Sequence, residues 1–137
     1  MQLDLERCAV RSFCDTDAEE LARHANNRQV SLQLRDRFPH PYTVEDAHEF
    51  IAGARSATPA TAFAVTVGDV PVGAIGVRLR DDVERCSAVP FASNIASCRV
   101  LEKAGYVLEG RMRRSAIKAG VVQDQLSYAV LRGDEDR

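Results

Sequence analysis

The residues best suited to chemistry fall in one stretch, residues 94–110, which reads Asn-Ile-Ala-Ser-Cys-Arg-Val-Leu-Glu-Lys-Ala-Gly-Tyr-Val-Leu-Glu-Gly. Physically this is a strand end, a capped helix, a glycine stop and a new strand. Asn94 and Ser97 fall on the first helical turn, where backbone N–H groups have no intrahelical partner and point out of the helix. Arg99 and Lys103 are four apart and share a face. An anionic ligand lying across the start of this helix meets all four side chains. The same spacing also describes a capped amphipathic helix with a solvated basic side, and spacing alone leaves both readings open. No other cluster competes. His24, His40 and His48 have no metal-ligand spacing, and Cys8, Cys14, Cys86 and Cys98 form no CxxC pair, so no metal site is expected. The cysteines read as reduced, mostly buried thiols of a cytoplasmic protein. The run Arg111-Met112-Arg113-Arg114 is short in a chain of net charge -2, which argues against a nucleic-acid partner.

The elements that must position these residues follow from pattern. The chain has 137 residues, 45% hydrophobic and 28% charged, which suits one globular domain and excludes wholesale disorder. It contains no run of about 18 apolar residues and no basic-then-apolar leader, so neither a membrane partner nor a secretory signal is expected. Residues 7–13 suit a strand. Thr16 and Glu19 form a capping-box pattern before a helix over residues 17–25, with Ala18, Leu21 and Ala22 inward. Residues 30–34 suit a short helix or turn, and Thr43 caps a helix whose Ala47, Phe50, Ile51 and Ala54 recur at helical spacing. Residues 61–67 and 70–79 form a hairpin about Gly68-Asp69, with Gly73 and Gly76 marking a bulge or a close backbone approach. Residues 88–92 suit a brief strand interrupted by Pro90. A helix over residues 95–104, with Val100 and Leu101 inward, ends at Gly105. Strands follow from Tyr106 and over residues 122–131, separated by a polar basic stretch and the turn Ala119-Gly120. The order β-α-α-β-β-(β)-α-β-β gives an α+β fold, with a mostly antiparallel sheet flanked by helices. Residues 1–132 form one domain and residues 133–137 a tail.

Several motifs in this order resemble the GNAT acetyltransferases, in particular the RimJ/RimL-type N-acetyltransferase branch. The branch pattern Asn-x-x-Ser-x-x-x-Leu-Glu-Lys-x-Gly-aromatic, followed by Glu-Gly, is matched at Asn94, Ser97, Leu101, Glu102, Lys103, Gly105, Tyr106, Glu109 and Gly110. Its Phe-Pro-x-Pro-Tyr-Thr-x-x-Asp-Ala fits residues 38–47, its Pro-Val-Gly-x-Ile-Gly fits residues 71–76, and its Gly-x-x-x-Asp-Gln-Leu-x-Tyr-x-x-Leu fits residues 120–131. The resemblance implies acetyl-CoA as co-substrate and a primary amine, on a protein N-terminus or a small molecule, as acceptor. It implies that Asn94 meets the pantetheine arm or a bridging water near the sulfur, and that Ser97 gives a proton to the leaving thiolate. Arg99 and Lys103 would meet the CoA phosphates. The tyrosine used by other branches falls on Leu101. Glu109 is a general-base candidate, with a structural pairing to Arg111 or Arg113 as its alternative, and His40 and Tyr42 would line the acceptor side.

One family element is missing. The resemblance calls for a pyrophosphate-binding loop, Arg/Gln-x-x-Gly-x-Gly/Ala, at the start of a central helix. Nothing between Arg80 and Asn94 matches it, and the shortfall near residues 88/89 is a central βαβ unit of ~30 residues. Loss of that unit exposes apolar sheet surface and favours a homo-oligomer. The alternative to an enzyme is a non-catalytic, GNAT-derived binding or oligomeric module.

Overall fold

A computed structural model describes residues 2–77 and 84–134. They fall into two compact units, one of residues Met1–Ser31 and Arg37–Leu79, the other of Leu32–Asp36 and Arg80–Arg137. In the first, strands β1 (Gln2–Asp4), β2 (Ala9–Arg11), β3 (Ala62–Val67) and β4 (Val70–Gly76) form an antiparallel sheet in that order. Helices α1 (Ala18–Ala25), α2 (Arg28–Leu32) and α3 (Val44–Ser56) lie between β2 and β3 in the chain. The β3–β4 hairpin turns at Gly68-Asp69, both at positive φ, as expected. A register shift at Val65/Thr66 lies across from Gly73, so the bulge occurs, whereas a Cβ on Gly76 would stand 3.5 Å from the Thr61 carbonyl, an ordinary contact, and one on Gly73 would meet nothing within 4 Å.

The core of this unit comes from the stripes that periodicity marks. Ala18, Leu21 and Ala22 of α1 and Ala47 and Ile51 of α3 pack with Phe13, Tyr42 and Ala64. Full burial of Ile51 contributes roughly 1.5–3 kcal/mol. Phe50, expected inward, is exposed and meets Phe13 edge-to-face at 5.5 Å. Tyr42, expected on the acceptor side, is a core residue stacked on Phe38, and burial pushes its phenol up. Thr43 caps α3 as expected, with Asp46 reciprocating.

The start of α1 differs from expectation. Instead of Thr16 and Glu19, the reciprocal cap joins Cys14 and Asp17 around a 3-10 turn, Asp15–Asp17. Arg11 decides this. Its guanidinium grips the buried Asp17 through two hydrogen bonds, of 2.7 and 2.9 Å, and also donates to the Asp69 carbonyl at 3.1 Å. A carboxylate fully used by a guanidinium and a backbone N–H outcompetes a solvated threonine cap.

The second unit holds β5 (Arg85–Ala88), α4 (Ile95–Lys103), β6 (Val107–Lys118) and β7 (Val121–Leu131), with antiparallel sheet order β5-β7-β6. The α+β class with antiparallel sheets and helices is therefore as expected, with the ladders divided between two sheets. Strand β5 lies upstream of the expected 88–92, because Pro90 has no N–H to give a ladder. Only Phe91 continues the pairing, as a bridge to Gln125. Strand β6 runs on through the polar basic stretch, residues 111–118, expected to separate the two strands. Asp124 of β7 holds it there, accepting from the Arg111 Nε and from the Arg114 N–H, both at 2.8 Å. The hairpin turns at Ala119-Gly120, both at positive φ. Of the cysteines only Cys98 is buried; Cys14 and Cys86 are exposed, against expectation. The part of the β4 strand expected over residues 78 and 79 lies outside the described residues.

Arg11 draws the Asp17 pKa below its ordinary value of 3.8, first through the hydrogen bond. A depressed carboxylate contributes stability that is complete above the unfolded value and is lost as pH falls through the folded one. Asp17→Asn is expected to cost about 3 kcal/mol at pH 7, because a part-buried Arg11 loses its partner. The gap to wild type should narrow below pH 4. Urea unfolding at pH 7 and pH 3 measures both, and a gap that is constant with pH would refute the assignment.

Candidate functional site

Helix α4 is built from its ends. The Asn94 Oδ1 accepts from the Ser97 N–H at 3.1 Å, which satisfies one free donor of the first turn. At the far end the Tyr106 N–H reaches the Leu101 carbonyl and the Gly105 N–H reaches that of Glu102, at 3.0 and 3.1 Å. This double closure requires the positive φ of Gly105, +83°. The buried residue of α4 is Cys98, whereas Val100, expected inward, is 64% exposed. The helix is tied to β7 by Tyr128, which is 1% exposed and donates from its hydroxyl to the Glu102 Oε1 at 3.0 Å.

Beside the N-terminal turn of α4 opens a cleft of about 510 Å³. One stretch of its lining is residues 88–91, with Phe91 buried. Another is α4 itself, through Asn94, Ala96, Ser97, Val100 and Leu101. Gln125 of β7 and the residues 33–35 complete it. Backbone bonds hold the 88–91 stretch to β7: the Ala92 N–H to the Asp124 carbonyl at 2.8 Å and the Leu126 N–H to the Pro90 carbonyl at 3.0 Å. Gln125 spans the same gap, accepting from the Ser115 hydroxyl at 3.0 Å and donating to the Val89 carbonyl at 3.4 Å. The volume and the mix of an apolar wall with a few polar groups suit a small-molecule site.

The structure brings together two of the expected site residues. Asn94 and Ser97 both line the cleft. Asn94 spends its side-chain oxygen on the cap. Ser97 is half-buried, and its hydroxyl makes no hydrogen bond among the described residues. Arg99 and Lys103 are exposed on α4, make no ion pair among the described residues and do not line the cleft. Glu109 is also outside the lining. Its partner is neither Arg111 nor Arg113 but Arg85, whose Nη1 lies 2.7 Å from its Oε1 and whose Nη2 meets its Oε2. Glu109 is the extra residue where the β6–β7 register shifts between Leu108 and Gly110, and a bulge re-aims its side chain. The Arg85 hydrogen bonds hold its carboxyl below the ordinary range, which makes it a weaker base. Sequence reading missed Gln33, Phe91 and Gln125 as cleft residues. Only Gln125 carried a signal, as the middle of the Asp-Gln-Leu-x-Tyr run.

No protein-family model and no curated protein matches the chain. Solved structures do. A GNAT-family acetyltransferase from Bacillus anthracis has a TM-score of 0.80 at 20% identity, over 98% of this chain and 99% of that one. RimL, a ribosomal L7/L12 α-N-protein acetyltransferase in complex with coenzyme A, has a TM-score of 0.78 at 14% identity, over 96% and 98%. The microcin C7 self-immunity acetyltransferase MccE, in complex with acetyl-CoA and AMP, has 0.73 at 14%, over 93% and 94%. The chain has a GNAT-like fold, with antiparallel sheets and flanking helices.

The Tyr128 phenol is pushed up from 10.0 to about 12, first by burial and then by the Glu102 hydrogen bond. A raised tyrosine pKa means that the native state holds its proton longer than the unfolded chain. Its contribution to stability is complete below pH 10 and is lost as pH rises through about 12. Tyr128→Phe is expected to lower the Tm at neutral pH and to flatten the alkaline fall in stability. Thermal unfolding from pH 7 to pH 11 checks this, and an unchanged alkaline limb would count against the Tyr128 join.

Proposed function

We propose that the chain is an acetyl-CoA-dependent N-acetyltransferase of the GNAT superfamily, with residues 1–132 as its single domain and a primary amine as acceptor. The observation that carries this reading is the free Ser97 hydroxyl on the first turn of α4, beside a cleft of about 510 Å³ on a GNAT-like fold. The RimJ/RimL-type motifs at Asn94, Ser97 and Gly105 support the branch, and an acceptor on a protein N-terminus is the finer form of the reading.

The residues present suit the thioester end of acetyl-CoA. Val89, Pro90 and Leu101 give the cleft an apolar wall, and a hydroxyl without a protein partner is free to serve a ligand. Acetyl-CoA supplies the activated acetyl group. Asn94 holds the first turn in place through its cap, and Ser97 donates its Oγ proton at the departing sulfur. Arg99 and Lys103 offer unpaired positive charge on the same helix for phosphate groups. The connection from β5 to α4 spans residues 89–94, too short for the ~30 residues of a βαβ unit, so a nucleotide cradle of the family's usual kind is not part of the proposal. We assign Glu109 an anchoring role toward Arg85 and leave the general base to solvent or the acceptor side.

Acetyl-CoA at a hundred times its Kd should stabilise the protein by about 2.7 kcal/mol, read as a rise in Tm. Ser97→Ala should keep that rise and lower kcat by about 100-fold. No thermal response of wild type to acetyl-CoA would overturn the reading.

A second reading, a non-catalytic oligomeric module, draws on one observation. Val107, Ile117 and Val121 on the β6–β7 pair are each more than half exposed. Such surface favours association. Sedimentation at micromolar concentration decides: a dimer with no acetyl-CoA response favours the module, and a monomer removes it.

A further inference from the structure

Between Thr61 and Val77, which hold the β3–β4 hairpin, the only charged residue is Asp69, in the turn. An antiparallel strand with one face in water alternates apolar and polar residues, so a hairpin that is apolar on both faces calls for a cover on each. One cover is present. Ala62, Ala64 and Thr66 share the side of α1 and α3, where Ala64 joins the core. The other side is bare. Cross-strand pairing sets Leu3 of β1 against Val10 of β2, Val10 against Val65 of β3, and Phe63 against Ile75 of β4, all on this second face. None of them is buried, and Leu3, Val67 and Ile75 are half exposed. Gly73, opposite Val65, leaves a hollow in the face, because a Cβ there would meet nothing within 4 Å.

The hairpin offers a partner an edge and a face. The outer edge of β4 pairs with no strand among the described residues, but it is a poor template. Pro71 has no N–H to give, and the register shift at Val65/Thr66 breaks the regular spacing. The face has no such protection. It is four strands wide, about 19 Å, and about 20 Å long at β3. A single helix, about 10 Å across, covers half of that width. A second copy of the same face covers all of it, apolar against apolar, with no charge taken out of water. Allowing for the short β1 and β2, one face spans roughly 300 Å² in flat projection, and two of them fall in the class below about 1,200 Å² that weak, reversible pairs occupy.

We propose that this sheet face is the interface of a two-fold homodimer, with the two sheets about 10 Å apart and their strands crossing at about 30°. An isologous contact of this kind closes at two copies. The dimer needs neither functional reading to hold, and its surface is not the β6–β7 surface of the oligomeric module.

Sedimentation equilibrium tests it, with Leu3→Glu and Ile75→Glu on the face and Ile117→Glu on the β6–β7 pair. Wild type should be a reversible dimer with a Kd of roughly 1–100 µM. Each face variant should weaken the dimer by at least about 100-fold, because two-fold symmetry brings two like charges into an apolar contact. Ile117→Glu should leave the Kd within about threefold. Leu3 and Ile75 are half exposed in one copy, so each face variant should keep the Tm that wild type shows below its Kd. A wild type that is monomeric throughout that range overturns the inference and leaves the face to a different chain. An assembly larger than a dimer also overturns it, as does a dimer that the face variants leave intact or that Ile117→Glu dissociates equally. The thermal response to acetyl-CoA is measured in parallel: its absence overturns the acetyltransferase reading and leaves the dimer standing.

Discussion

The site hangs on the junction between α4 and β7, and Tyr128 makes that junction. Its ring is the largest side chain fully buried in the described structure, and its hydroxyl is spent on Glu102. Burial of the ring supplies apolar area, while the hydrogen bond sets which turn of the helix meets the strand. A helix located by packing alone could slide along a strand by a residue at little cost. A buried hydroxyl bonded to Glu102 resists that slide, because a shifted helix breaks the bond. Asn94 and Ser97, eight and five residues before Glu102 on the same helix, take their positions from it.

Around this junction the β7 run Asp124-Gln125-Leu126 carries the remaining constraints. Asp124 binds Arg111 and the Arg114 N–H, which keeps β6 paired through a bulge and a residue at positive φ. Gln125 bridges Ser115 to the Val89 carbonyl, and the backbone of Leu126 holds Pro90. One strand therefore supports the floor of the cleft, its 88–91 wall and its helix. The other unit depends on a similar polar device. Arg11 gathers Asp17, the Cys14 turn and the Asp69 carbonyl, and so joins β2 to the start of α1 and to the β3–β4 turn.

Among the described residues one buried side-chain polar atom stands outside this economy, the Gln33 Oε1; the half-buried Ser97 also has no hydrogen-bond partner for its hydroxyl, and both residues line one cleft. Glu109 shows the opposite case. Its carboxylate is consumed by Arg85, and a carboxylate so held is a structural anchor.

Much of the local structure was legible in the letters. Thr43 announces a helix start, Ser93 or Asn94 another, Gly105 a helix stop, and Gly68-Asp69 and Ala119-Gly120 hairpin turns, because each is a statement about backbone torsion or a nearby N–H that near neighbours settle. The spacing of Ala18, Leu21, Ala22, Ala47 and Ile51 likewise fixed which helix faces became core. What the letters could not carry were pairings across the chain. Arg85 with Glu109, Arg11 with Asp17 over Thr16 with Glu19, and Tyr128 with Glu102 each depend on which strands and turns come to lie together. The basic stretch of β6 gave no strand signal of its own, because what holds it in the ladder, Asp124, lies on the other strand. Gln33 has no signature at all: an unpaired buried oxygen is a property of its surroundings, and only the folded chain supplies those.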